Sequence, residues 1–290
     1  MNIFITGGTG FIGKNLVESL AKSGRDKIFC YVRRESMKKD VDFLSSLGCV
    51  ITYSLDDISK CKHVFHLAGQ LQKFNLPSKV YYDANIVLTQ KIISQCKQNQ
   101  KIIFLSTTGV HGPGRNIDEK TRYNPRNIYE KTKLSAELLV KKYTNHVIIR
   151  PGLVYGKYNE NLQGFYKSIK RRLFFIIGNG KNKIQPINVL LLIDVLIKSM
   201  DTKFKNDIFI VAGKKITFEK YYYSLAKSFG VKPNRIKIPR PLAIIIVYFY
   251  QNLSKIFRIN PIVTLDGLNL LTQTRTYNIS KTLKNFNFIG

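Results

Sequence analysis

Acidic side chains are scarce in this chain. Only 18 Asp and Glu stand against 47 Lys and Arg, a formal charge of +29 over 290 residues. Across the last ninety residues the acids are Asp201, Asp207, Glu219 and Asp266 alone. Such a field steers anionic substrates and favours acidic surfaces. The chain is also rich in Ile, Asn and Lys together, a bias that AT-rich coding produces with no binding role. The basic residues carry no recognised nucleic-acid motif around them, so nucleic acid is not an expected partner. Tryptophan is absent, and the four cysteines, Cys30, Cys49, Cys61 and Cys96, show no Cys-x-x-Cys spacing. Only Cys61 has histidines nearby, and Val64-Phe65 between His63 and His66 reads as a strand that turns the two imidazoles to opposite faces. Neither a disulfide framework nor a metal centre is expected, and the thiols read as reduced, in a cytoplasmic protein. The first strand begins at residue 2 or 3, so no leader is expected. No apolar run is long enough to span a bilayer. The longest, Pro241 to Tyr250, is flanked by Arg240, Lys255 and Arg258. It is expected to be a core helix, with peripheral attachment to a membrane interface as the alternative.

What is present begins at once. Ile3-Phe4-Ile5 runs into Thr6-Gly7-Gly8-Thr9-Gly10-Phe11-Ile12-Gly13. A buried strand thus delivers the chain to a glycine turn, after which Ile12, Leu16 and Leu20 repeat at helical spacing. Residues without side chains let a pyrophosphate approach the backbone, and the helix start points free N–H groups and a positive dipole end at it. Gly7, Gly10, Phe11, Ile12 and Gly13 are therefore candidate dinucleotide contacts.

A second constellation lies downstream. Tyr129 and Lys133 stand four apart in a run, Ile128 to Tyr143, that reads as a helix, and so share one face. An ammonium near a phenol stabilises the phenolate, so the tyrosine is expected to exchange a proton near neutral pH. Upstream, Lys101 to Leu105 reads as a buried strand ending in Ser106-Thr107-Thr108. Hydroxyls at that end of a strand lie where open α/β sheets bind ligands.

These motifs, with His66-Leu67-Ala68-Gly69, Asp83-Ala84-Asn85, Ser106 to Gly112 and Arg150 to Gly156, make the chain resemble an extended short-chain dehydrogenase/reductase. This is the NAD-dependent epimerase/dehydratase family, and the match lies nearest its reductase branch. The resemblance implies that Tyr129 is the catalytic acid/base. It implies that Lys133 binds the nicotinamide ribose and tunes Tyr129, and that Thr107 holds the reacting oxygen. Leu67, Ala68, Asn85, Ser106 and Pro151 are implied to line the cofactor. Relatives often dimerise through the helices that carry Tyr129 and Asn85, so a homodimer is an expectation.

Cofactor choice turns on the second strand, which ends Tyr31-Val32-Arg33-Arg34 with no acid before Glu35. NAD enzymes commonly place a carboxylate there. Guanidiniums suit a 2′-phosphate, so Arg33 points to NADP, with NAD as the alternative if both arginines are merely solvated. The reaction is narrowed by departures from the family. Thr108-Gly109 stands where dehydratases carry an acid pair. Leu153, Ile184 and Leu191 stand where galactose-type epimerases carry the Asn, Arg and Asp that grip the substrate. Lys183 could replace that Arg in charge but not in geometry. Reduction of a keto group on a nucleotide-activated sugar or similar small carbonyl compound is the expected activity. A nucleotide-sugar 4-epimerase and a non-catalytic NADPH-binding scaffold are the alternatives.

Alternating candidate strands and helices predict a doubly wound parallel Rossmann sheet with a smaller C-terminal α/β substrate domain. The strands are Ile28 to Val32, Val50 to Tyr53, Val64 to Leu67, Ile102 to Leu105 and His146 to Arg150. The dinucleotide domain is placed at 1–156, with a return segment near 187–200. Residues 157–186 and 201–290 are placed in the substrate domain. The ending Asn287-Phe288-Ile289-Gly290 reads as lacking a short piece relative to the family.

Overall fold

A computed structural model of the chain describes residues 1–257, 259, 261 and 263–287, so Arg258, Asn260, Ile262 and the final 288–290 lie outside it. Seven parallel strands form the central sheet. They are β1 (Asn2–Thr6), β2 (Lys27–Tyr31), β3 (Val50–Thr52), β4 (His63–His66), β5 (Lys101–Leu105), β6 (His146–Pro151) and β7 (Asp207–Val211). Their order across the sheet is β7-β6-β5-β4-β1-β2-β3. The order reverses between β1 and β4, and the crevice at such a switch point is where this architecture binds ligands.

Burial on both faces explains why the strands read as continuous apolar runs. Ile3, Ile5, Cys30, Phe65, Ile103 and Leu105 enter one core, while Phe4, Phe29, Val64, Ile102 and Phe104 enter the other. The alternation is the period of two that a pleated strand imposes. Helix α1 (Phe11–Ser23) covers the first core through Leu16, Val17 and Leu20, and stops at Gly24 in the left-handed region (φ 63°). Helices α2 (Lys38–Ser46) and α3 (Leu88–Gln95) follow β2 and β4. Immediately before α3, residues Tyr82–Val87 form a π-helical turn, a distortion that recurs at functional sites. Helix α4 (Ile128–Val140) is capped by Asn127, whose side chain accepts Glu130 N–H at 2.9 Å, while Glu130 accepts Arg126 N–H at 2.7 Å.

Strand β7 lies in the stretch that sequence assigns to the substrate domain. It pairs with β6 from Asp207↔Val147 to Val211↔Pro151 and so joins the nucleotide sheet. Helix α10 (Ser280–Phe286) follows it back, Phe286 packing on Phe204 and Phe209. Between β6 and α10 lie also α5 (Gln163–Lys170) and α6 (Val189–Lys198), before β7, and α7 (Phe218–Ser228), α8 (Arg240–Ile256) and α9 (Leu265–Thr272), after it. The α7 helix and the short ladders beside it bury a separate cluster around Ile169, Ile176, Ile184 and Tyr222. Pro241 to Tyr250, expected as core, is helical but buries only one edge, through Ala243 and Val247. The rest of the helix is outward because its packing partners reach only that edge. Among the described residues no helix is long and apolar enough to cross a membrane.

Candidate active site

The β1–α1 turn is built around absent side chains. Gly10 N–H bonds Gly7 O at 3.0 Å, and Gly7 takes φ +77°. A Cβ on Gly7 would lie 2.6 Å from Ala68 N, and one on Gly13 would lie 2.0 Å from Gly7 O. Neither contact is tolerable, so these glycines hold the turn against both the helix and the β4 loop. No side chain caps α1. The amides of Phe11, Ile12 and Gly13 belong to the first turn, which has no intrahelical partners, and they form a donor set with a positive dipole end. A dinucleotide pyrophosphate fits that cradle.

A polar relay holds the rim opposite. Thr6 Oγ1 and His66 Nδ1 are 2.8 Å apart, and His66 Nε2 is 2.8 Å from Thr89 Oγ1. Thr89 spends its own proton on Asn85 O at 2.6 Å. His66 must therefore donate from Nε2 and accept at Nδ1. Burial pushes its pKa down to about 3, with Lys133 adding to the effect, so the ring stays neutral. Thr6 Oγ1 in turn accepts Ala68 N–H at 3.3 Å, beside Leu67 N–H on Thr6 O at 3.2 Å. Asn85 accepts Gln70 N–H at 2.8 Å and donates to Thr132 Oγ1 at 2.9 Å. The side chain of Asn85 thus ties the 68–73 loop to α4. In the sequence His66 stands out as the start of the His66-Leu67-Ala68-Gly69 motif and as unfit for metal, but nothing local shows that a strand histidine has hydroxyls on both sides.

Thr107, Tyr129 and Lys133 converge where β5 ends against α4. Thr107 caps a 3-10 turn by accepting Gly109 N–H at 3.0 Å. Burial pushes the Tyr129 phenol up to about 12, a hydrogen bond with Thr107 opposes this, and Glu130 adds to the rise. The expected lowering by Lys133 is not found. Lys133 is itself buried, with Nζ 4.1 Å from the Phe104 ring centroid. Burial pushes its pKa down to about 7 against the pull of Glu137, so its ammonium is held far less firmly than a free lysine's. A Cβ on Gly69 would lie 3.7 Å from that nitrogen.

Behind these residues sits a charged cluster that sequence analysis did not find. Ser106 Oγ donates to Glu137 Oε2 at 2.7 Å, and Arg150 reaches the same carboxylate through Nε at 3.1 Å and Nη2 at 2.5 Å. Arg150 also bonds Tyr123 OH at 3.0 Å and meets His111 Nε2 at 2.8 Å. Tyr129, Lys133 and Glu137 follow at i, i+4 and i+8, so one helical stripe carries all three. That spacing was the available signal, but a helical glutamate ordinarily reads as solvated. Nearby, Thr108 donates to Pro151 O at 3.1 Å and shares a 3.0 Å hydrogen bond with Tyr277 OH. Ser106 and Pro151 thus stand at the ends of adjacent strands, engaged with the protein.

Arg33 lies apart, exposed in the turn after β2, three strands along the sheet from β5. The nearest acid of α2, Asp40, is held by Lys14 at 2.7 Å. Ile184 is buried in the aromatic cluster of α7, and Leu153 is exposed. Among the described residues no group of three or more His, Cys, Asp or Glu could hold a metal ion.

Comparison with known proteins agrees with this architecture. A model of the NAD dependent epimerase/dehydratase family matches residues 3–212. The chain is 29% identical, over 97% of its length and 91% of the relative's, to a decarboxylating sterol-4-alpha-carboxylate 3-dehydrogenase of Dictyostelium discoideum. It is 25% identical to the N-acetyl-alpha-D-glucosaminyl-diphospho-ditrans,octacis-undecaprenol 4-epimerase of Escherichia coli O157:H7, over 88% and 80% of the two chains. Among solved structures, a UDP-glucuronic acid 4-epimerase from Bacillus cereus in complex with NAD superposes with a TM-score of 0.77. It is 20% identical, and the match covers 99% of this chain and 93% of that one.

Proposed function

Because the chain belongs to the NAD dependent epimerase/dehydratase family, an enzyme family of the extended short-chain type, we propose that it is an NADP-dependent reductase. The substrate is a ketone on a nucleotide-activated sugar or similar small molecule, reduced to a secondary alcohol. One observation carries this reading: the half-buried Tyr129 phenol is joined to Thr107 at the end of β5, and burial pushes its pKa up to about 12. Reduction leaves an alkoxide on the substrate oxygen, which needs a proton donor that is loaded at neutral pH. A phenol of that pKa is loaded, and an alkoxide is basic enough to take its proton.

When bound, the nicotinamide supplies a hydride to the carbonyl carbon. Thr107 orients the oxygen, and Tyr129 gives it the proton at Oη. Lys133, in its protonated fraction, favours the phenolate left behind. The glycine turn and the α1 amides fit the pyrophosphate. Arg33, in a strand end without a carboxylate, supports a 2′-phosphate over a free ribose hydroxyl.

The second reading is a 4-epimerase that retains NAD, favoured by the named activities of the Escherichia coli relative and the Bacillus cereus structure. Leu153, Ile184 and Leu191 weigh against it, since no fork of donors stands there for a diphosphate. Two measurements decide between them. Denatured protein is analysed for released nucleotide, and purified protein is titrated with NADPH and NADH and then offered keto-sugars. The proposal expects an empty site, tighter NADPH and net NADPH consumption. In Tyr129→Phe, turnover should fall by about 10²–10⁴ with NADPH binding kept. Retained NAD with epimer interconversion would replace the proposal with the epimerase, and cofactor binding without any turnover would leave the scaffold.

A further inference from the structure

The outward face of α8 is apolar along its whole length. Ala243, Val247 and Ser254 pack inward, with Leu268 of α9 and with Ile177 and Ile238 beneath. On the opposite side Leu242, Ile245, Ile246, Phe249, Leu253 and Ile256 are each half or more exposed, Phe249 at 67% and Ile256 at 74%. At 100° per residue these six fall within an arc of about 100°, centred away from the buried edge. Phe257 and Ile259, which follow the helix, and Leu270 on α9 are exposed as well. A continuous apolar surface of this size is not an ordinary feature of a protein surrounded by water, and marks an interaction site. The helix has 17 residues and does not span a bilayer.

We propose that this face docks the protein on an anionic lipid surface, with α8 lying in the plane of the interface. Charge complementarity selects that occupant. The last ninety residues carry four acids against fifteen Lys and Arg, and Arg240 and Lys255 are exposed on α8 itself. A second copy, with the same net charge of +29 and the same basic flanks, would meet like charge across such a seam, whereas acidic headgroups attract basic flanks while acyl chains take the apolar stripe. A loop that starts at the site reaches α8 and α9. Lys255 Nζ lies 5.8 Å from the ring centroid of Phe74, and Gln72 donates to Asp266 at 3.1 Å. The same loop begins at Gly69, beside Lys133.

The test needs no substrate, so it stands or falls apart from the assigned reaction. The intact protein is sedimented with phosphatidylcholine vesicles, with and without phosphatidylglycerol, at low and high salt. Wild type is expected to pellet with the anionic vesicles, and less so at high salt. Phe249→Ser/Ile256→Ser, both at exposed positions, should bind at least about tenfold more weakly with an unchanged melting temperature. Because the chain has no tryptophan, Phe249→Trp gives a single reporter whose emission should shift to the blue on anionic vesicles. Wild type left in the supernatant at low salt would overturn the proposal. So would equal binding by the double variant, an unshifted emission from the Phe249→Trp reporter, or a wild-type dimer that the double variant converts to monomer.

Discussion

Arg150 Nη2 and Glu137 Oε1 stand 2.5 Å apart, and neither side chain has any exposed surface. This pair joins β6 to the helix that carries Tyr129 and Lys133, and Ser106 adds the end of β5. Burial pushes the Glu137 carboxyl up, but Arg150 outweighs it and holds the group below its usual value of 4.5. Glu137→Gln leaves a buried guanidinium without its counter-charge and should cost about 3–5 kcal/mol in denaturant unfolding. The lowered carboxyl contributes stability that is complete above its unfolded value and lost as pH falls through its folded value. Wild type should therefore lose more stability on acidification than the variant does.

Gly13→Ala should weaken dinucleotide uptake while the chain still folds. The new Cβ would sit 2.0 Å from Gly7 O, so the turn must open and its amides must leave their common focus. A Kd raised by more than about tenfold, the factor carried by about 1.4 kcal/mol, is expected for NADPH and NADH alike in equilibrium titration. Unchanged affinity would remove the turn from the binding site.

Arg33→Asp should act on one cofactor only. Loss of a charge-assisted hydrogen bond, about 1.5–3 kcal/mol, raises the KM for NADPH roughly ten- to a hundredfold and leaves that for NADH nearly unchanged. Parallel changes in both KM values would mean that Arg33 does not read the 2′-position.

Lys133→Met separates stability from activity. Burial pushes the Lys133 pKa from 10.5 down to about 7. Between those values the unfolded chain binds more protons, so this residue makes wild-type stability rise with pH across that window, and its penalty is full below it. The variant should melt higher than wild type near about pH 6, by about 2–4 °C per kcal/mol recovered, with the gap closing toward about pH 10. It should also lose turnover. A variant that melts lower throughout would show Lys133 to be a structural cation.

Much of the candidate site's geometry was legible because it rests on local rules. Gly7, Gly10 and Gly13 announce a turn that only glycines permit, and Tyr129 and Lys133 share a face because a helix repeats every 3.6 residues. The parallel sheet was legible in Ile102 to Leu105 and His146 to Arg150, whose unbroken apolar character fits strands covered on both sides. These features follow from backbone geometry and from which side chains avoid water.

Tertiary structure decided the rest. That His66 bridges Thr6 and Thr89, that Glu137 finds Arg150, and that Asp207–Val211 pairs beside β6 all depend on partners brought close by folding. The same holds for the Tyr129 pKa, which burial raises against the hydrogen bond with Thr107, while the lowering that the spacing of Lys133 promised is not found. Pro241 to Tyr250 shows the division most clearly. Its composition determines that a helix there will shun water, but only the packing of Leu268 and Ile238 against one edge decides which apolar side chains are left outside. Hydrophobicity is a property of residues, whereas burial depends on the rest of the fold.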